Sequence, residues 1–270
     1  MKKICFMGGG NMATAMLAGL RKAYPALDCR IVEPFAEARE KLAALGVQVY
    51  PLAERSAVAG ADVVVLAVKP QMLKLACTEL LPHLGGELIV SIAAGVRIST
   101  LGRWLGGHTR MVRTMPNTPA LIGQGVTGLF APETLSATDA ATATALMQSC
   151  GQVVLVRTEA MIDAVTAVSG SGPAYVFHWI ESMLAAAEDA GFSSSDARTL
   201  VLGTLKGATA LAEASSEPPS VLRERVTSKG GTTAAALAVI DDRGVKEALL
   251  HAVRAAKNRG TELGDLMDGA

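Results

Sequence analysis

The period of apolar and polar positions along the 270-residue chain changes once, near residue 158. Before that point short apolar runs alternate with helix-length stretches. After it, only helical patterns remain. Strands are expected at Lys3 to Met7, Cys29 to Glu33, Gly46 to Val49, Ala61 to Val68, Glu87 to Ile92, Arg110 to Met115, Gly125 to Ala131 and Gln152 to Val156, with an alanine-rich helix at Ala137 to Gln148. The run Ala61 to Val68 is almost continuously apolar, as a parallel strand buried on both faces should be. This alternation predicts a Rossmann-type doubly wound α/β domain over residues 1–157. Helices expected over 158–168, 172–190, 195–214, 219–226, 232–240 and 245–266 make residues 158–270 an all-helical second domain. Ser194, Ser195 and Asp196 form an N-cap cluster, Gly191 a stop, and Ser215 to Pro219 a breaker that starts the next helix.

The helical half is over-apolar. Leu200, Val201, Leu202, Leu205, Ala208 and Leu211 spread around more than one face, and a helix apolar all round must be buried in something larger. Homodimerisation through this domain is the simplest source of burial, a bulky monomeric bundle being the alternative.

Composition narrows the functions. Half the residues are hydrophobic but only 4% are aromatic, so the core rests on aliphatic residues and Met. Lys+Arg and Asp+Glu both number 25, so no basic face is implied and nucleic acid is excluded as a partner. The N-terminus is too short in apolar residues for a signal peptide, which needs roughly 7–15, and no run reaches the ~18 of a membrane span. Cys5, Cys29, Cys77 and Cys150 form no Cys-x-x-Cys, which fits reduced thiols in the cytoplasm. His83, His108, His178 and His251 show no metal spacing, and no metal is expected.

Candidate chemistry sits at the strand ends. Gly8-Gly9-Gly10-Asn11-Met12-Ala13 follows the first strand and opens a helix, as G-x-G-x-x-A at Gly8, Gly10 and Ala13. Gly8 allows the tight turn, Gly10 lets a pyrophosphate approach the backbone, and Ala13 permits close helix–strand packing. The alternative is a purely structural turn. Glu33 ends the second strand where a ribose-binding acid is expected. It would accept bonds from the ribose hydroxyls and repel a 2′-phosphate, while Arg39 would offset that by pairing with a phosphate, so the choice of nucleotide stays open. Val68-Lys69-Pro70-Gln71 and Ala93-Ala94-Gly95 lie beyond strand ends, where ligands of open α/β sheets bind. Pro116-Asn117-Thr118-Pro119 is a stiff loop in which Asn117 offers a donor and an acceptor. In the second half, Ser169-Gly170-Ser171-Gly172-Pro173 opens a long helix. Val226-Thr227-Ser228-Lys229-Gly230-Gly231-Thr232-Thr233 opens another, and its outward N–H groups attract a carboxylate or merely take a hydroxyl cap.

With GGGNMA, VKPQ, MPNTP, SGSGPAY and VTSKGGTTAAAL in this order, the chain resembles pyrroline-5-carboxylate reductase over essentially its whole length. The resemblance implies that NADPH or NADH gives a hydride to the C=N carbon of 1-pyrroline-5-carboxylate, forming L-proline, the last step of proline synthesis. It implies a nucleotide-holding first domain and a helical domain that dimerises, the partner subunit completing each site, with assemblies of dimers also found. Met7, Gly8, Gly9, Gly10, Asn11 and Met12 would then meet the pyrophosphate, with Glu33 at the ribose. Ala67, Val68, Lys69, Pro70, Ala93 and Ala94 would line the nicotinamide half, with Asn117 a further cofactor contact. Ser228, Lys229, Gly230, Gly231, Thr232 and Thr233 would hold the substrate carboxylate, and the Thr233 hydroxyl would bond the ring nitrogen. Three residues depart from the family pattern. Glu33 and Glu54 put a strong NADPH preference in doubt, and Arg225 is an extra carboxylate partner or a solvated helix end. A carbonyl-reducing relative of similar plan would need a lysine near Val176 or Phe177, where this chain is apolar.

Overall fold

The computed structural model describes residues 1–269, in two compact units: Met1–Pro173 with the chain from Ala255 onward, and Ala174–Arg254. In the first unit β1 (Lys3–Met7), α1 (Asn11–Ala23), β2 (Asp28–Val32), α2 (Ala36–Ala44), β3 (Gln48–Tyr50), α3 (Arg55–Val58), β4 (Val63–Leu66), α4 (Pro70–Leu80), β5 (Leu88–Ser91), α5 (Ile98–Trp104) and β6 (Met111–Met115) follow one another. Then come β7 (Gly125–Phe130), α6 (Ala137–Gln148), β8 (Gly151–Leu155) and α7 (Met161–Val165). Among the described residues one sheet holds all eight strands, in the order β3-β2-β1-β4-β5-β6-β7-β8. Its first six strands are parallel, while β7 runs antiparallel to β6 and parallel to β8.

Strand alternation explains the two cores. Ile4 and Phe6 of β1, Val63 and Val65 of β4, and Leu88 and Val90 of β5 face one side, where Met16, Leu17 and Leu20 of α1 and Leu146 and Met147 of α6 cover them. Cys5 and Met7, Val64 and Leu66, and Ile89 face the other side, under Val58 of α3, Leu73, Cys77 and Leu80 of α4 and Leu101 of α5. A sheet hydrophobic on both faces requires this double cover of helices. All four cysteines lie buried, and burial pushes the thiols of Cys5 and Cys77 up to about 12.

The strands end at Leu155, close to the expected change at 158, yet the compact unit extends further. Arg113, fully buried on β6, donates to Asp163 of α7 at 2.8 Å and approaches Glu159 at 3.4 Å, tying the first helical segment to the sheet. The C-terminal end of the chain is held by Arg97, which donates to Asp265 at 2.6 Å and to Asp268.

The second unit is built from α8 (Gly172–Asp189), α9 (Ser194–Ala214), α10 (Pro219–Arg225), α11 (Thr232–Asp242) and the start of α12 (Val245–Asp268). Ser193, one residue before the expected cluster, caps α9 by accepting the Asp196 N–H. In α8, α10 and α11 no residue is buried, and Phe177 and Leu211 stand 58% and 59% exposed. Among the described residues, no helix is long and apolar enough to cross a membrane.

Candidate active site

The strand order reverses direction between β1 and β4, since the chain steps from β1 out to β3 before returning to β4. Ligands of open α/β sheets bind beyond the strand ends at such a point. The glycine turn lies there, and each glycine has its own reason. Gly8 has φ 100°, and a Cβ on it would stand 2.8 Å from both the Ala67 carbonyl oxygen and Val68 Cγ1. A Cβ on Gly9 would fall 2.3 Å from Leu42 Cδ1. Gly10 has open space where its Cβ would be, at the N-cap of a helix that no side chain caps. That open backbone over a row of free N–H groups fits a pyrophosphate.

The structure brings the expected nicotinamide residues to the same end of the sheet. The Ala67 N–H donates to the Met7 carbonyl at 2.8 Å, so the turns after β1 and β4 are joined directly. Lys69 is exposed at the N-cap of α4 with Pro70 in the first helical turn. Ala93 is buried just past β5, its N–H on the Ser91 hydroxyl at 3.3 Å, and Ala94 is half-buried. Glu33 follows β2 with its carboxylate turned to the glycine turn. A cleft of about 840 Å³ opens beside it, lined by Gly9, Gly10, Asn11, Phe35 and Lys41 among others.

Asn117 lies in the loop just past β6 and uses both its donor and its acceptor. Its Oδ1 accepts the Val126 N–H at 2.8 Å and its Nδ2 donates to the Ser169 carbonyl at 3.1 Å. Buried and engaged at both ends, it braces the loop after β6 against the Ser-Gly-Ser-Gly turn. That turn ends a short π-helical stretch, Thr166–Gly170, and a Cβ on Gly170 would stand 2.7 Å from Met115 Cε.

In the second unit, Ser228 to Thr233 forms the turn before α11. Gly230 has φ 73°, a conformation that favours glycine, and the Gly231 N–H donates to the Ser228 carbonyl at 3.0 Å. Of the two alternatives, the hydroxyl cap is not formed: Gly231 is the N-cap, and no side chain bonds the first helical N–H groups. They remain available to a ligand carboxylate, with the hydroxyl-bearing Ser228, Thr232 and Thr233 close in sequence. Arg225 instead forms a two-pronged pair with Glu217, 2.6 Å from Nη2 to Oε1 and 2.5 Å from Nη1 to Oε2. His178 is exposed beside Glu181, a helix-surface residue.

Sequence reasoning missed the Arg113–Asp163 pair. An arginine in the apolar run Met111 to Met115 was the available signal, since a charge in a central strand must find a buried partner.

A family model described as pyrroline-5-carboxylate reductase dimerisation matches residues 159–263, and one described as NADP oxidoreductase coenzyme F420-dependent matches residues 3–95. The pyrroline-5-carboxylate reductase of Pseudomonas aeruginosa is 44% identical over 265 residues, covering 97% of each chain. The chain belongs to the pyrroline-5-carboxylate reductase family. Solved structures of pyrroline-5-carboxylate reductases agree. That from Coxiella burnetii matches with TM-score 0.88 at 37% identity, covering 96% of this chain and 97% of the other. That from Plasmodium falciparum, which has NADP bound, matches with TM-score 0.86 at 29% identity, covering 97% and 98%.

Proposed function

We propose that this protein is a cytoplasmic pyrroline-5-carboxylate reductase that reduces 1-pyrroline-5-carboxylate to L-proline with NADH or NADPH. Residues 1–157 serve as its dinucleotide domain and residues 158–270 as its substrate-binding and dimerisation domain. In structural terms the reading is carried by the start of α11, a glycine-capped helix with no side chain on its first N–H groups. Four buried thiols support a reducing compartment.

The open backbone at Gly10 and the uncapped start of α1 hold the pyrophosphate, and the turns Ala67 to Pro70 and Ala93-Ala94 border the nicotinamide half. When bound, the reduced nicotinamide supplies the hydride. The backbone of Ser228 to Thr233 takes the substrate carboxylate, and the Thr233 hydroxyl orients the ring nitrogen. A cyclic imine protonates more readily than a ketone, so the carbon of the C=N bond accepts a hydride without a strong side-chain acid. The residues that hold substrate and nucleotide therefore act by placement, which supplies several of the roughly 7–11 kcal/mol that well-oriented reactions gain.

The test is nucleotide absorbance with pyrroline-5-carboxylate and with a panel of 2-keto and 3-hydroxy acids. Oxidation of NADH or NADPH is expected only with the imine, and its absence there would sink the reading. In the same assay Thr233→Ala should lower turnover about 10-fold or more while nucleotide affinity stays unchanged. A collapse of nucleotide affinity instead would remove Thr233 from the substrate.

A further inference from the structure

Glu33 is only 7% exposed, unusual for a carboxylate at a strand end. Its Oε2 accepts the Gly9 N–H at 2.9 Å and its Oε1 accepts the Phe35 N–H at 3.1 Å. The carboxylate is therefore fastened between the glycine turn and the start of α2, beside the cleft that Gly9, Gly10, Phe35 and Lys41 line. Each oxygen accepts one N–H bond and keeps acceptor capacity for another. A ribose 2′,3′-diol offers O–H donors to such an acceptor. A 2′-phosphate offers only acceptors and close to two negative charges, so it meets repulsion without a bond.

A free cation would offset that repulsion; Arg30 is paired with Asp28 at 2.9 Å, and Arg39 of α2 is the next in sequence. Its Nη1 donates to the Glu33 carbonyl at 3.0 Å and to the Pro34 carbonyl at 2.6 Å, so the guanidinium is engaged in closing the end of β2. Lys41 also lines the cleft, but Glu37 shares that lining and offsets its charge.

We infer that Glu33 makes this reductase select NADH over NADPH, by accepting the adenosine ribose hydroxyls and repelling a 2′-phosphate. The inference rests on the reductase reading above and names which of the two nucleotides the first unit takes. Two measurements on the full-length protein test it: equilibrium binding of NADH and NADPH without substrate, and kcat/KM for each nucleotide with pyrroline-5-carboxylate. NADH should bind at least about 10-fold more tightly, a factor that one lost charge repulsion readily supplies. Glu33→Ser should move the affinity ratio about 10-fold or more toward NADPH, and Glu33→Gln, which keeps an acceptor for the Gly9 N–H but drops the charge, should move it part of the way. If Glu33→Ser fails to fold, Glu33→Gln carries the test.

A wild-type protein that binds NADPH as tightly as NADH overturns the inference, as does a ratio unchanged by either substitution. Because binding is measured without the imine, the two readings fail separately. A protein that prefers NADH yet reduces no imine upholds the role of Glu33 and removes the activity. One that reduces the imine and prefers NADPH does the reverse.

Discussion

Two arginine–carboxylate pairs show how burial decides what a residue contributes. Arg113 is 1% exposed, its Nε has no partner, and Asp163 supplies its short contact. Removing one member of a buried pair leaves the other charge uncompensated, so Asp163→Ala should cost about 3–5 kcal/mol of stability. Arg225 and Glu217 form a shorter pair on the surface, where solvent screens them, and Glu217→Ala should cost less than about 1 kcal/mol. Urea melts of the two variants check the contrast; similar midpoints would mean that the Arg113 network bears no structural charge. Gly230 makes a different residue-scale case. With φ 73° it holds a conformation that an alanine adopts only under strain. Gly230→Ala should therefore distort the proposed substrate turn, raising KM for the imine several-fold while nucleotide affinity stays constant. Equal changes in both would place the damage elsewhere.

At the scale of elements, two carboxylates lock helices to the sheet unit. Asp139, in the first turn of α6, has its carboxyl held below the usual range chiefly by hydrogen bonds from Arg110, at 2.8 and 2.6 Å. For Asp268, burial alone would raise the carboxyl, but bonds from Thr100 and Arg97 with the charges of Arg97 and Arg103 outweigh it and lower it. A pKa depressed in the folded state contributes stability above the unfolded value, and that contribution is lost as pH falls through the folded one. Stability should thus be level from neutral pH down to about 5 and should fall once pH drops below about 4. An Asp139→Asn, Asp268→Asn double variant should be less stable at neutral pH and lose less on acidification; a parallel decline in both proteins would assign acid sensitivity to other groups. These locks also explain what the sequence left hidden. The eight strands and the helix from Ala137 to Gln148 were legible because their apolar period is local, as in Ala61 to Val68, whereas short helices such as Arg55–Val58 carry too few residues to show one. The partnership of Arg97 with Asp265 and Asp268 spans some 170 positions, and no local pattern announces it. The nucleotide turn was legible from Gly8 and Gly10 because steric needs are written in residue type. The bracing role of Asn117 was not, since an asparagine amide serves a ligand or a backbone equally well.

For the whole molecule, the contrast between the two units argues for assembly. The sheet unit buries two continuous cores, whereas α8, α10 and α11 bury nothing and α9 buries only Ala197 and Val201. Phe177 and Trp179 of α8 and Leu211 of α9 lie open to water in the single chain. Covering a large apolar side chain is worth about 1.5–3 kcal/mol, so a handful of them supplies the drive for a second copy. Such burial ties stability to concentration by mass action. The melting temperature should rise with protein concentration, and light scattering should give the mass of a dimer or a multiple of it. Phe177→Glu places a charge on that open face. It should shift the mass toward the monomer and abolish imine reduction, while NADH still binds to the sheet unit, which holds its own core. A variant that stays fully assembled would move the interface away from Phe177. A melting temperature independent of concentration, with the mass of one chain, would remove assembly as the reason these helices are so apolar.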